Sequence, residues 1–394
     1  MKILLFGGAF DPPHNGHLSI LKEAAQYTEF DKIIVMPTGT PTHKKGCMVP
    51  FDVRHYMAQL AFGNVDSDVE ISDYEGTNLK DDYTYLTLRH LKEKYDNADI
   101  FMLIGSDSLF SIDSWKNSPE ILANCTPVVF ARKTGVEQEI YDKIAQLRAQ
   151  GANAVYIPYK VTDVSSSGFR GGQHSDSVLP GAVDAVIDEY HLYDNNETKR
   201  LQGTAKLLAK IMLDEKRYIH TLNVEKLAAE LGTIYHLDVD KLRIAALLHD
   251  ILKHASYDIL LHRAGASGII NRIKDKPKQT LHGFAAADYA EKEMGITDED
   301  ILWPVRSHTC GRSGMTDMEK VIYLADMLCE GRKFESRDYL LSLARKNLDL
   351  AMYKALVHSV EWIKSKGNEI DTDSLEALEY FRTLTKADCK EEKI

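Results

Sequence analysis

Two histidines three residues apart, His14 and His17, close the run Gly7-Gly8-Ala9-Phe10-Asp11-Pro12-Pro13-His14-Asn15-Gly16-His17-Leu18. An apolar stretch, Ile3 to Phe6, precedes the run, and an apolar helical period, Leu18, Leu21 and Ala25, follows it. A strand, a turn of glycines and a helix start together make an anion site. Residues without Cβ let backbone approach a phosphate, and the unpaired N–H groups of the first helical turn point at it. Histidines at i and i+3 on that helix start face one way and can both donate to one phosphate.

A second run, Val164-Ser165-Ser166-Ser167-Gly168-Phe169-Arg170, combines hydroxyls and unpaired amides at a helix start with a forked cation. On its own such a run is more often only a helix cap. In the order found here it suits the outer phosphates of a nucleoside triphosphate.

A third group is distributed over the second half of the chain. His220 shares a stripe with Val224, Leu227 and Leu231, and His249 aligns with Leu242 and Ala246 in an apolar helix running to Asp250 and Ile251. His282 continues with Ala285, Ala286 and Tyr289, His308 follows Ile301 and Val305, and Asp326 lies between Ile322 and Cys329. Each sits where the helical period demands an apolar side chain, so each points inward. Any one of them alone reads as a hydrogen-bonded core residue. Together they are best satisfied by a shared metal centre, because neutral imidazole and carboxylate are metal ligands. A nitrogen and oxygen set without thiolate favours iron, manganese or magnesium over structural zinc.

These groups need different scaffolds. Up to about residue 193, buried strand patterns at Ile3 to Phe6, Lys32 to Met36, Ile100 to Ile104 and Pro127 to Ala131 alternate with amphipathic helices. That predicts a doubly wound, parallel α/β sheet of the Rossmann-like kind, with ligands at the carboxyl ends of its strands. Asp194-Asn195-Asn196-Glu197-Thr198 is polar and turn-forming, and beyond it helix follows helix. Domains are therefore expected at residues 1–195 and 196–394, the second all-α.

The chain has 394 residues, too many for one ordinary core. Its formal net charge of −11 argues against a nucleic-acid surface. No apolar run approaches a membrane span, and Met1 to Phe6 is too short for a signal segment. Cys47, Cys125, Cys310, Cys329 and Cys389 are odd in number and lack a Cys-x-x-Cys pair. Reduced thiols and a cytoplasmic location are expected.

The histidine and serine runs resemble the signatures of the nucleotidyltransferase superfamily, most closely those of bacterial nicotinate-nucleotide adenylyltransferases. Val164, Ser167 and Phe169 depart mildly from the Ile-Ser-Ser-Thr-x-Ile-Arg form. Further pieces are similar: Pro41-Thr42-His43-Lys44, the Arg-x-x-Met that begins at Arg54, Tyr83-Thr84, and Ile104-Gly105-Ser106-Asp107 followed by Trp115. The resemblance implies ATP, carrying Mg²⁺, on Gly7, Gly8, Phe10, His17, Ser165, Ser166, Ser167 and Arg170. It implies nicotinate mononucleotide near Thr84, Trp115 and Arg132, with His14, His17, Lys44 and Arg170 aligning and stabilising the transfer. Pantetheine-phosphate adenylyltransferases usually carry Thr or Ser where this chain has His14, which favours nicotinate mononucleotide as acceptor.

The order His220, His249-Asp250, His282, His308, Asp326 resembles the HD-domain metal phosphohydrolases. His308-Thr309-Cys310-Gly311-Arg312-Ser313-Gly314-Met315, Ala325-Asp326 and Glu330-Gly331-Arg332 are similar to the family that splits diadenosine tetraphosphate into two ADP. The resemblance implies two ions bridged by Asp250, with His220, His249 and Asp326 on one and His282 and His308 on the other. Arg312 and Arg332 would grip polyphosphate, and Lys253, one turn past Asp250, is a weaker candidate. The alternatives for this half are another nucleotide substrate (a mononucleotide, cyclic dinucleotide or alarmone) or a non-catalytic sensor. A homo-oligomer is compatible with both resemblances.

Overall fold

The structure, a computed structural model, describes residues 1–39, 49–65, 68–77, 83–158, 166–170, 178–266 and 276–385. Lys44 and Ser165, expected in the site, lie outside the described residues. The chain divides into two compact units, Met1–Glu189 and Tyr190–Ile394.

The first unit is built on strands β1 (Lys2–Gly8), β2 (Lys32–Pro37), β3 (Val69–Ile71), β4 (Asp99–Gly105), β5 (Cys125–Phe130) and β6 (Val155–Tyr156). Its helices are α1 (Asn15–Ala25), α2 (Phe51–Phe62), α3 (Tyr74–Thr77), α4 (Thr84–Lys94), α5 (Ser106–Ser111), α6 (Ser118–Asn124), α7 (Glu137–Ala149), α8 (Ser166–Arg170) and α9 (Gly181–Tyr190). The sheet order is β3-β2-β1-β4-β5-β6, with every pairing parallel. Alternate residues, Ile3 and Leu5, Ile34 and Met36, Ile100 and Met102, face one layer and pack with Leu88, Leu91, Ile140 and Leu147. The expected α/β sheet is thus present. Two short edge strands, β3 and β6, add to the four expected; with three and two residues, none buried, they carry no apolar run to read.

In this order successive strands are added outward on one side of β1 as far as β3 and then on its other side from β4, so the connections from β1 and β4 run to opposite sides. A crevice therefore opens beyond their carboxyl ends, between Gly7-Gly8 and Gly105-Ser106, where ligands of such sheets bind.

The second unit is helical among its described residues: α10 (Glu197–Met212), α11 (Glu215–Ile234), α12 (Val239–Leu248), α13 (Tyr257–Ala266), α14 (Lys278–Met294), α15 (Glu299–Ser307), α16 (Asp317–Leu328), α17 (Arg337–Ala344), α18 (Leu348–Ser365) and α19 (Thr372–Leu384). Helix α12 is buried from Ile244 to Leu248 because α10, α11, α15 and α16 surround it. Gly283 lets α14 press on the end of α15: a Cβ there would stand 2.9 Å from the Val305 carbonyl oxygen and 3.1 Å from the His308 ring. The helix expected to contain His249 and Asp250 ends at Leu248. His249 caps it in helical conformation (φ −53°, ψ −37°), so the inward direction set by the helical period persists one residue further. Among the described residues no helix is long and apolar enough to cross a membrane.

Candidate functional site

At the end of β1 the chain turns through Phe10, which has a left-handed backbone (φ 47°). Phe10 is 1% exposed and packs edge-on against Phe6, Phe62 and the His17 ring, 5.1 Å away. Phe10, expected beside ATP, buttresses His17 with a side chain that has almost no exposed surface. A Cβ on Gly7 would meet nothing within 4 Å, which leaves the open approach an anion needs.

His14 is the N-cap of α1, and the two histidines cap it reciprocally. The His17 amide donates to His14 Nδ1 (3.3 Å), and the His14 amide donates to His17 Nδ1 (3.2 Å). A backbone N–H can only donate, so both Nδ1 atoms carry lone pairs. Each neutral ring therefore bears its proton on Nε2. The rings stack at 3.6 Å and present two N–H donors from one helix start. Burial, then the charge of Arg132, depresses the His14 pKa to about 4, which keeps the ring neutral at pH 7.

The structure brings the serine run to this turn across more than 150 residues. Ser166 Oγ donates to the Pro12 carbonyl (2.9 Å), and Arg170 Nη1 bonds the Asp11 carbonyl and pairs with the buried Asp11 carboxylate (3.3 Å). Ser167 is exposed beside them. Arg54 holds the neighbouring loop ends. It is 1% exposed and donates to the carbonyls of Ala9 (2.8 Å), Thr38 (2.7 Å), Gly39 (2.7 Å) and Val49 (3.3 Å). Its motif position was legible in the sequence; its role as a clamp on three loop segments was not.

Of the expected mononucleotide residues, Arg132 follows β5, pairs with Asp107 (3.1 Å) and acts electrostatically on His14, so it belongs to the same crevice. Thr84 opens α4, and Trp115 packs partly buried against the core. Their sequence neighbours Tyr83 and Lys116 stack at 3.8 Å, which brings this pair together.

In the second unit six expected residues converge. Their ligand atoms form three overlapping sets: His220, His249 and Asp250; His249, His308 and Asp326; and Asp250, His282 and His308, with the atoms of each set within 4.8 Å of one another. His249 and His308 both sit at helix C-caps, and each donates Nδ1–H to the carbonyl three residues back, Ala246 (2.6 Å) and Val305 (2.7 Å). A carbonyl only accepts, so Nδ1 carries a proton, and in the neutral ring the Nε2 lone pair faces inward. Burial lowers the His249 pKa, but the Asp250 carboxylate beside it outweighs burial and raises it. His282 Nε2 and His308 Nε2 approach to 3.0 Å, and His282 Nε2 lies 2.9 Å from Asp250 Oδ1.

The chemistry of this donor set fits a divalent metal. His249 Nε2 and Asp250 Oδ1 are buried without a well-formed hydrogen bond, and around them the ring nitrogens of His282 (2.9 Å) and His308 (3.7 Å) crowd Asp250 Oδ1, an arrangement that a bound cation relieves. Burial pushes the carboxyls of Asp250 and Asp326 up, but for Asp250 the charge and bond of His249, and for Asp326 the bond of His220, win and hold both below the usual carboxylate range. Both are ionised and ready to ligate.

Cations surround this pair. Arg332 Nη2 bonds Asp326 Oδ1 (2.5 Å) and lies 3.3 Å from His220 Nε2. Lys253 Nζ lies 3.0 Å from His282 Nε2. Arg217, which sequence reasoning missed, bonds Asp250 Oδ2 at 2.9 Å. Its signal was its place one helical turn before His220, on the same face. Arg312, expected on polyphosphate, is bonded to a buried carboxylate. Its Nε and Nη2 each donate at 2.7 Å to Glu319, a carboxylate with no exposed surface that also accepts from Ser307 (3.0 Å). That knot braces the segment carrying His308.

Fold and sites thus define a class: a nucleotidyltransferase-type α/β domain followed by a helical HD domain. Residues 5–172 match the Cytidylyltransferase-like family and residues 217–331 the HD domain. A Mycoplasma genitalium protein named "Probable nicotinate-nucleotide adenylyltransferase/Ap4A hydrolase" is 29% identical over 370 residues, spanning 92% of this chain and 99% of its own. A Clostridium tetani "Probable nicotinate-nucleotide adenylyltransferase" is 33% identical over 198 residues, 49% of this chain and 98% of that one. A solved HD superfamily hydrolase from Clostridium acetobutylicum, described as involved in NAD metabolism, is 32% identical and covers 46% of this chain and 96% of its own, with a TM-score of 0.43. The chain belongs to the nicotinate-nucleotide adenylyltransferase family, with an HD domain joined to the adenylyltransferase-like domain.

Proposed function

We propose that the protein is a two-site enzyme. Residues 1–195 transfer the adenylyl group of ATP to nicotinate mononucleotide, and residues 196–394 hydrolyse diadenosine tetraphosphate to two ADP. The names of the M. genitalium and C. tetani relatives support both substrates.

In the first reaction a phosphate oxygen of the mononucleotide attacks the α-phosphorus of ATP, and the bond to the β-phosphate oxygen breaks. Nicotinate adenine dinucleotide and pyrophosphate leave, and the enzyme need supply neither nucleophile nor proton. The observation that carries this reading is the meeting of the two runs: Ser166 and Arg170 close on Asp11 and Pro12 beside two stacked imidazoles that carry Nε2–H donors. Donors fixed before the reaction stabilise charge that shifts onto phosphate oxygens without paying to reorient. Lys44 and Ser165 are assigned to the same phosphates, and Thr84, Trp115 and Arg132 to the mononucleotide. Mg²⁺ would travel on the triphosphate.

For the second reaction the carrying observation is the convergence of buried ligand atoms from six histidines and aspartates, in three overlapping sets within 4.8 Å, around His249 Nε2 and Asp250 Oδ1. His220, His249, Asp250, His282, His308 and Asp326 would hold two divalent ions, of iron, manganese or magnesium. Bound there, such ions would lower the pKa of a water and would clamp the phosphate it attacks. The chain's own part is to keep both carboxylates ionised, to aim Nε2 lone pairs inward, and to offer Arg217, Lys253 and Arg332 as cations beside the polyphosphate. Water adds to an inner phosphorus, the bond to the other ADP half breaks, and a proton is released to solvent.

The test is a product profile of the full chain. ATP with nicotinate mononucleotide should give the dinucleotide and pyrophosphate. Diadenosine tetraphosphate with manganese or iron should give ADP as sole product. AMP with ATP from the tetraphosphate, or turnover confined to a mononucleotide, a cyclic dinucleotide or an alarmone, would contradict the second assignment. Nucleotide binding without turnover would make that half a sensor.

A further inference from the structure

The imidazoles of the metal cluster differ in what holds their outer nitrogen. His249 and His308 donate Nδ1–H to main-chain carbonyls at 2.6 and 2.7 Å, within the range of strong hydrogen bonds. Among the described residues, His220 Nδ1 meets a sulfur in place of a carbonyl. Its Nδ1 lies 3.4 Å from Sγ of Cys329, which is the C-cap of α16 and has no exposed surface. The same sulfur donates to the Asp326 carbonyl oxygen at 3.7 Å, while His220 Nε2 reaches the Asp326 carboxylate at 2.8 Å. Residues 326 and 329, at the end of α16, therefore flank one imidazole on both sides: without a metal the Asp326 carboxylate accepts His220 Nε2–H, and once Nε2 ligates an ion only the Cys329 contact at Nδ1 remains to hold the ring.

We propose that Cys329 is a positioning residue for His220: its sulfur accepts Nδ1–H, passes its own S–H to the Asp326 carbonyl, and so fixes the tautomer and ring angle that aim Nε2 at a metal ion. The inference rests on the metal reading above. Its chemistry is constrained, because an imidazole that ligates through Nε2 must carry its proton on Nδ1, and then the thiol can only accept from it. A thiol is a weak acceptor compared with the carbonyls that hold His249 and His308. His220 is consequently the most loosely held of these three ligands, and the ion that depends on it is the one that dissociates first. The side-chain exposures point the same way: His220 and Asp326 are 14% and 20% exposed, against 0% and 2% for His249 and Asp250.

The test uses the full chain loaded with manganese, with metal content and loss to EDTA followed over time for the parent and for Cys329→Ala, Cys329→Val and Cys329→Ser. Retention of the slower ion in the same samples reports that the helical unit is folded. The parent should release one ion faster than the other. Ala and Val should each weaken that ion by roughly 10 to 100-fold, the usual cost of losing a ligand's outer partner, and leave the slower ion nearly unchanged. Ser, which can accept and donate as the thiol does, should retain most of the affinity. Parent-like retention in Ala, or recovery in Val that Ser does not share, would overturn the proposal by reducing Cys329 to a volume filler. A parent chain that binds no divalent ion would instead overturn the metal reading itself, and the two failures are distinguishable.

Discussion

The two sites use the same side chain at opposite ends of helices, and the helix end decides what the side chain can bind. His14 and His17 sit at the start of α1, where backbone N–H groups are unpaired; these N–H groups occupy Nδ1 and leave Nε2–H to donate to an anion. His249 and His308 sit at the ends of α12 and α15, where carbonyls are unpaired; these carbonyls take Nδ1–H and leave an Nε2 lone pair to bind a cation. Helix polarity is usually described as a weak field acting on bound charge. Here it acts through the tautomer, and under the proposed function one residue type would serve phosphate in one domain and metal in the other.

That contrast can be broken most sharply at Asp250. Asp250→Ala should take tetraphosphate hydrolysis to background and release metal, with dinucleotide synthesis unchanged in the same sample; a parallel loss of synthesis would mean that the sites are not independent. His17→Ala should lower the turnover of synthesis by about 10²- to 10³-fold, as expected for a lost preorganised donor, and leave hydrolysis intact. Arg54→Met removes donors from the carbonyls of Ala9, Thr38 and Gly39. Because an unsatisfied buried acceptor costs about 1–3 kcal/mol, the first domain should lose on the order of 3 kcal/mol in denaturant unfolding.

The smallest effect is in pH. The His14 pKa falls from 6.5 to about 4 on folding, through burial first and Arg132 second. Between those values the unfolded chain binds a proton that the folded chain refuses. Stability from this group is therefore complete above pH 6.5 and declines as pH falls toward 4, by at most about 1.4 kcal/mol per pH unit. His14→Asn, which keeps an N-cap acceptor, should flatten that part of the pH profile of unfolding; an unchanged slope would place the proton elsewhere.

Much of this organisation was legible in the sequence because it follows from periodicity. The long apolar runs of β1, β2, β4 and β5 announce buried parallel strands, and the six clustered histidines and aspartates stand out as polar intruders in apolar helix stripes. What the sequence could not reveal has a common cause: the partner is backbone, or arrives from far along the chain. The tautomers depend on carbonyls and amides that every residue possesses. Arg217 reads as a solvated charge in the first turn of α11 until the fold puts Asp250 against it. Arg312 looks like a phosphate ligand until Glu319 appears buried beneath it, and Cys329 looks like one more core thiol until His220 is found at 3.4 Å.

The most direct measurement is the long-range ¹H–¹⁵N correlation spectrum of the histidine rings in the full chain at pH 7, with and without divalent metal. His14 and His17 should show the pattern of rings protonated at Nε2 in both samples. His249 and His308 should show protonation at Nδ1, with their Nε2 signals shifted or broadened when metal is added. A ring at position 14 or 17 protonated on Nδ1, or one at 249 or 308 protonated on Nε2, would contradict the claim that helix polarity sets the chemistry of each site.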